Sequence, residues 1–153
     1  LCVKEKIPLG TAGSLYKVKK LITNNSLICN GDTYIQYNFK KINNLNFKND
    51  KLFMFCISNR NYKSNKKLNN LKIKKKNIYF SNKSDLMNAG MYIINKKILK
   101  FINKKNFSLE DEIIPKLIEN NKVQGKEIKA YSIDIGTYQN LKKFKSISKK
   151  MKS

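Results

Sequence analysis

Leu52-Phe53-Met54-Phe55-Cys56-Ile57-Ser58 is apolar at every position until its last. Side chains alternate between the two faces of a strand, so such a run must be covered on both sides. It predicts a central strand with a layer packed above and below. Three more runs read as strands: Ser26–Asn30, Gly90–Asn95 and Glu127–Asp134. Leu71–Ile73 and Asn77–Ser81 read as a polar hairpin at an edge, and Asn59–Asn70 as a loop. Helical spacing of Leu15, Val18, Leu21 and Ile22 places a helix over Ser14–Ile22, after a turn at Gly10–Gly13. A short helix is expected over residues 96–103 and a basic amphipathic one over Tyr138–Met151. Ser108-Leu109-Glu110-Asp111 has the form of a capping box, and Pro115 predicts a kink in the helix that follows. Strands alternating with helices make an α/β fold, with a mostly parallel sheet flanked by helices.

The 153 residues suffice for one domain with a true core, and 41% hydrophobic content excludes general disorder. The expected division is a domain over 1–145 and a basic C-terminal tail over 146–153. A formal charge of +23 invites a nucleic-acid reading. Against it, Arg60 is the only arginine, and the lysines are scattered without an aromatic pattern for stacking bases. Lysine, asparagine and isoleucine dominate together, as an AT-biased coding sequence would produce. A positive field still steers an anionic substrate inward. Without histidine, Ser-His-Asp and Cys-His nucleophiles and His-ligated metals are excluded. Cys2, Cys29 and Cys56 share no metal-ligand spacing, and their odd number predicts a reducing cytoplasm. No apolar stretch approaches the roughly 20 residues of a membrane span.

Two segments carry the chemistry. Ile28-Cys29-Asn30-Gly31-Asp32 and Ile133-Asp134-Ile135-Gly136-Thr137 each combine apolar strand residues with an aspartate at the strand mouth. A carboxylate there costs solvation energy unless a cation meets it. Mg2+ takes one or two carboxylates and completes its shell with water and phosphate oxygens, so Asp32 and Asp134 suffice for such a site. The ordinary alternative for each is a helix cap or an Asx turn. Gly10-Thr11-Ala12-Gly13 before a helix lets backbone approach a ligand, or is simply a tight turn. Asn88-Ala89-Gly90 opens a strand and offers an amide and backbone groups suited to sugar hydroxyls. Glu110 lies in the first turn of its helix, where the dipole stabilises a carboxylate. Lys83 follows a strand and is one basic residue among many.

The order of these pieces resembles the sugar-phosphate nucleotidylyltransferases. The matches are Pro8–Ser14 (PLGTAGS), Asn30–Tyr34 (NGDTY), Asn88–Asn95 (NAGMYIIN), Ser108–Leu117 (SLEDEIIPKL) and Ile133–Thr137 (IDIGT), across residues 5 to 145. The likeness is nearest to the branch that activates heptose 1-phosphate or mannose 1-phosphate with GTP. It implies a Rossmann-like fold and transfer of a nucleotidyl group to a sugar 1-phosphate, with release of pyrophosphate. It also implies roles. Asp32 and Asp134 would be catalytic and hold Mg2+. Leu9, Gly10, Thr11, Ala12 and Gly13, with Asn30 and Gly31, would bind the nucleotide. Lys83, Asn88, Ala89, Gly90 and Glu110 would bind the sugar phosphate.

The chain departs from the family pattern at three places. The family's glycine-rich triphosphate loop would precede Leu1, so an N-terminally truncated chain of impaired activity is expected, without its first strand. Tyr62-Lys63 stands where Tyr-Gly is usual, and Asn82-Lys83 where Glu-Lys is usual. The expected partners are a nucleoside triphosphate and a sugar 1-phosphate, with no membrane and no specific nucleic acid; a homo-oligomer stays open. A basic nucleic-acid-binding module and a metal-dependent glycosyltransferase remain the rival readings. The latter normally carries Asp-X-Asp, which Asp32-Thr33-Tyr34 is not.

Overall fold

A computed structural model describes the whole chain except residues 24, 46, 47, 49, 59–68, 103–107 and 151–153. The loop expected over Asn59–Asn70 and the Tyr62-Lys63 pair lie largely or wholly outside the described residues. The larger sheet has six strands: β1 (Ser26–Cys29), β3 (Leu52–Ser58), β4 (Asn69–Lys74), β5 (Asn77–Phe80), β6 (Leu86–Ile94) and β7 (Val123–Glu127). They are ordered β1-β6-β3-β7-β5-β4, with β4 also paired to β6. A separate ribbon joins β2 (Thr33–Gln36) to β8 (Tyr131–Asp134). The helices are α1 (Gly10–Lys17), α2 (Ile114–Glu119) and α3 (Tyr138–Lys150).

β3 is the covered central strand that its composition demands. Leu52, Met54 and Cys56 enter one core with Tyr92, Ile94, Ile114 and Leu117. Phe53, Phe55 and Ile57 enter the other with Met91, Ile93 and Ile128. Each large side chain so buried is worth about 1.5–3 kcal/mol. The fold is therefore α/β, with a central sheet flanked by helices.

The sheet is not mostly parallel. Among the described residues only β3–β7 is parallel, while β1–β6, β3–β6, β4–β5, β4–β6 and β5–β7 are antiparallel. An apolar run records that both faces are covered and carries no information about the direction of its neighbours. Lys75 and Lys76 adopt φ of 48° and 69° between β4 and β5, and the primed turn they form forces antiparallel pairing. Nor is that hairpin a free edge. β4 meets β6 while β5 meets β7, and Ile78 packs onto Gly125. A Cβ on Gly125 would lie 2.5 Å from the Met54 carbonyl oxygen and 2.6 Å from Ile78 Cδ1.

Other differences are local. The expected turn at Gly10–Gly13 is the first turn of α1, because Ala12, Gly13 and Leu15 face the core. Ser108 does cap its helix, its hydroxyl accepting from Asp111 N at 3.0 Å, while Glu112 accepts from Ser108 N at 3.1 Å. Pro115 falls in the first turn of α2, where proline is accommodated, and Leu109–Ile113 before it form a widened π turn. The strand expected over Glu127–Asp134 is broken into the end of β7 and all of β8. Among the described residues no helix is long and apolar enough to cross a membrane.

Candidate functional site

The β2–β8 ribbon builds the acidic centre. Thr33 pairs with Asp134 in register, and the Asp32 carbonyl accepts from Ile135 N at 2.7 Å. Antiparallel pairing thus sets the two aspartates side by side although they are a hundred residues apart. Gly136 completes the arrangement. Asp32 Oδ2 and Asp134 Oδ1 lie 3.0 and 3.1 Å from the point that a Cβ on Gly136 would occupy. The oxygens are therefore no more than about 6 Å apart. Gly136 N donates to Asp134 Oδ1 at 2.8 Å, fixing that carboxylate. Thr137 then starts α3, its hydroxyl accepting from Asn140 N at 3.3 Å. Phe144 of α3 packs on Tyr34 of β2 with ring centroids 4.6 Å apart, locking the helix to the ribbon.

A cleft of about 1090 Å³ opens over this centre. Its walls include Asn30, Gly31, Asp32 and Asp134, together with Thr11, Asn88, Ala89, Gly90 and Glu110. The remaining expected residues are elsewhere. Ala12 and Gly13 are buried on the core side of α1, and Leu9 and Gly10 do not line the cleft. Leu9 N instead donates to Glu5 Oε2 at 3.1 Å. Lys83 is exposed in the turn between β5 and β6, its backbone N–H donating to Ser81 Oγ, and is not a wall residue. The structure thus joins the two acidic segments, the Asn88–Gly90 strand and Glu110, but only Thr11 from the glycine-containing turn.

Gly90 links the two halves of the cleft. It sits at φ +69° in a bulge of β6, where the one residue between Met54 and Cys56 of β3 faces three between Asn88 and Tyr92 of β6. Its carbonyl accepts from Asn30 N at 2.9 Å. A Cβ there would lie 3.1 Å from Asn30 Nδ2 and 3.2 Å from Thr33 Oγ1. Asn88 Oδ1 accepts from Gly90 N at 2.9 Å, and Asn88 Nδ2 donates to the Tyr92 hydroxyl. That hydroxyl in turn donates to Glu110 Oε1 at 3.4 Å. Burial, and then the neighbouring Glu110 carboxylate, push the Tyr92 phenol well above its ordinary pKa.

Sequence reasoning missed Tyr92, Asn140 and Lys143. Asn140 and Lys143 line the cleft from one face of α3, three residues apart. Their signal is the strand–Gly–Thr–helix order after Asp134, which carries the first turns of α3 to the acidic centre. Tyr92 gave no such signal, because the bulge at Gly90 interrupts the strand period between it and Asn88.

The donor set fits a divalent cation of the magnesium type. An oxygen of each carboxylate lies within about 3 Å of where a Cβ on Gly136 would stand, so the glycine keeps a side chain from crowding the two. Among the described residues no group of three or more His, Cys, Asp or Glu forms a closed metal cage. Mg2+ needs none, because it retains waters and takes phosphate oxygens.

Comparison with known proteins agrees with this architecture. D-glycero-alpha-D-manno-heptose 1-phosphate guanylyltransferase of Campylobacter jejuni is 26% identical over 139 residues, covering 86% of this chain and 60% of that protein. The Danio rerio mannose-1-phosphate guanylyltransferase catalytic subunit beta is 26% identical over 144 residues, covering 86% of this chain and 39% of its own length. The chain thus spans less than two thirds of the curated relatives it matches over most of its length. The crystal structure of HddC from Yersinia pseudotuberculosis superposes with a TM-score of 0.66 at 27% identity, covering 91% of this chain and 62% of that one. A second structure of HddC, complexed with GMP-PN, gives a TM-score of 0.63 at 26% identity and covers 93% and 65% of the two chains. A family model described as nucleotidyl transferase matches residues 1–150. The chain belongs to the nucleotidyl transferase family.

Proposed function

We propose that the chain carries the Mg2+ and sugar-phosphate side of a sugar-1-phosphate nucleotidylyltransferase that uses GTP. The observation that carries the reading is the convergence of Asp32 and Asp134 beside Gly136, in the cleft that also receives Asn88, Gly90 and Glu110. An oxygen of the sugar 1-phosphate attacks the α-phosphorus of the nucleotide. The new P–O bond forms as the bond from that phosphorus to the bridging oxygen breaks, and pyrophosphate leaves with the electron pair. The attacking phosphate is already ionised, so no general base is required, in keeping with a chain without histidine. Bound Mg2+ would neutralise phosphate charge as it develops.

The chain's own residues bind and align. Asp32 and Asp134 hold the cation, with Asn30 and Gly31 beside the nucleotide. Asn88, Gly90 and Glu110 orient the sugar, and Lys143 faces the cleft as a cation for phosphate. Holding the two reactants in line is the larger part of the catalysis such a site offers. The HddC complex with GMP-PN and the names of the two curated relatives support a guanine nucleotide. The unpaired cysteines and the use of a nucleoside triphosphate favour the cytoplasm.

The test is label transfer. With Mg2+, α-labelled GTP and mannose 1-phosphate or heptose 1-phosphate, label should enter a nucleotide-sugar, at the impaired rate expected above, in step with pyrophosphate release. Asp134→Asn should abolish the transfer without unfolding the chain. If GTP with Mg2+ neither raises the melting temperature nor yields labelled nucleotide-sugar, the reading is wrong.

A further inference from the structure

Thr11 belongs to a stretch whose family resemblance implies a nucleotide contact, yet its hydroxyl proton is committed elsewhere. It donates to Glu110 Oε2 at 2.8 Å and accepts from Leu109 N at 2.7 Å. A hydroxyl has one proton, so no donor is left for a nucleobase, and only one acceptor position stays open. Tyr92 acts on the other oxygen of the same carboxylate. Its hydroxyl donates to Glu110 Oε1 and accepts from Asn88 Nδ2. Glu110 is thus gripped from α1 on one oxygen and from β6 on the other, on a π turn whose start is fixed by the Ser108 cap.

We propose that Thr11 and Tyr92 are positioning residues for the sugar: they hold the Glu110 carboxylate and the Asn88 amide in one geometry that matches adjacent sugar hydroxyls. The remaining valences fit that ligand. An ionised carboxylate offers about four acceptor positions, of which the two hydroxyls take one on each oxygen. One remains on each oxygen for a ligand hydroxyl, and Asn88 Nδ2 keeps a second proton to donate. The Tyr92 side chain is 0% exposed, so its hydroxyl is held by packing as well as by hydrogen bonds. Its raised pKa keeps it a donor throughout the neutral range. The inference rests on the sugar-phosphate reading above and assigns Thr11 to the sugar half of the cleft.

Calorimetric titration of the chain with mannose 1-phosphate, and separately with GTP and Mg2+, tests it. Thr11→Val should weaken mannose 1-phosphate binding about tenfold, the worth of one charge-assisted hydrogen bond, and Tyr92→Phe, which loses a longer bond, about threefold. GTP affinity should stay within about twofold, and Thr11→Ser should restore sugar-phosphate binding. Equal loss of GTP affinity in Thr11→Val would return Thr11 to the nucleotide and overturn the proposal. So would unchanged mannose 1-phosphate affinity in both variants. Tyr92→Phe keeps the ring and its packing, and Thr11 is exposed, so one of the two variants reports even if the other folds poorly. If the unsubstituted chain binds GTP and mannose 1-phosphate and the variants bind both equally well, this proposal falls alone; if it binds GTP but no sugar phosphate, the sugar-phosphate half of the proposed function falls too. If it binds neither, the proposed function falls with it.

Discussion

Asp32→Asn should have effects of opposite sign with and without a divalent cation. Oxygens of the two carboxylates lie 3.0 and 3.1 Å from one point, so they are no more than about 6 Å apart. At that separation two negative charges repel by about 0.7 kcal/mol at the dielectric constant of water. Physiological salt, with a Debye length of about 8 Å, cuts this roughly in half. Asp32 is exposed, which makes the high dielectric appropriate. Without metal, Asp32→Asn should therefore stabilise the fold by about 0.3–0.7 kcal/mol, raising the melting temperature by about 1–2 °C. With millimolar Mg2+ and GTP, the parent should gain stability as any protein does on binding a ligand, and the variant should not. The assay is a pair of thermal unfolding series, with and without Mg2+ and GTP. A metal-free loss above about 1 kcal/mol would mean that the carboxylate is structural, the typical size of a lost cap or buried hydrogen bond. An unchanged response to Mg2+ and GTP in the variant would refute the shared-cation reasoning.

Gly125→Ala should destabilise the chain by about 1–3 kcal/mol, the usual cost of overpacking. Its methyl would lie 2.5 Å from the Met54 carbonyl oxygen; urea unfolding reads the loss. Alkylation at pH 8 should modify Cys2 and Cys29 and spare Cys56, whose thiol burial pushes up to about 12, with the Glu127 carboxylate adding to the shift. Peptide mass mapping in native buffer and in urea checks this, and modification of Cys56 in the native chain would contradict the packing of β3. The Ser14 hydroxyl, then the Leu9 N–H, hold the Glu5 carboxyl below its usual 4.5. Its contribution is therefore present above that value and is lost as pH falls through the lowered one. Glu5→Gln should flatten the acid limb of a stability–pH profile measured by urea midpoints and leave α1 folded.

The covered strand at Leu52–Ser58 was plain in the sequence because six consecutive apolar positions leave no face for water. The direction of its neighbours was not, since burial on two faces is the same for parallel and antiparallel partners. The acidic segments were legible from their form, an aspartate beside apolar strand residues, although Asp32 proves exposed and bears little of the expected desolvation cost. How they meet was hidden, because Glu127–Asp134 reads as one strand, whereas only Tyr131–Asp134 joins β2. Gly10–Gly13 looked like a ligand loop because glycine permits a turn. Burial of Ala12, Gly13 and Leu15 decides instead for a helix. Lys143 was invisible for a statistical reason, since in a lysine-rich chain one more lysine carries no signal. Tyr92 passed for an apolar strand residue, and only the structure shows its hydroxyl joining Asn88 to Glu110.

The most direct measurement for the central claim, that Asp32 and Asp134 clasp one cation, is paramagnetic relaxation with Mn2+ in place of Mg2+. Amide signals of Gly31 and Asp32, and of Asp134 and Gly136, should broaden together at substoichiometric Mn2+ with nucleotide present. Both sets should recover in Asp32→Asn. Broadening of one segment without the other, or broadening unchanged by that substitution, would contradict a shared site.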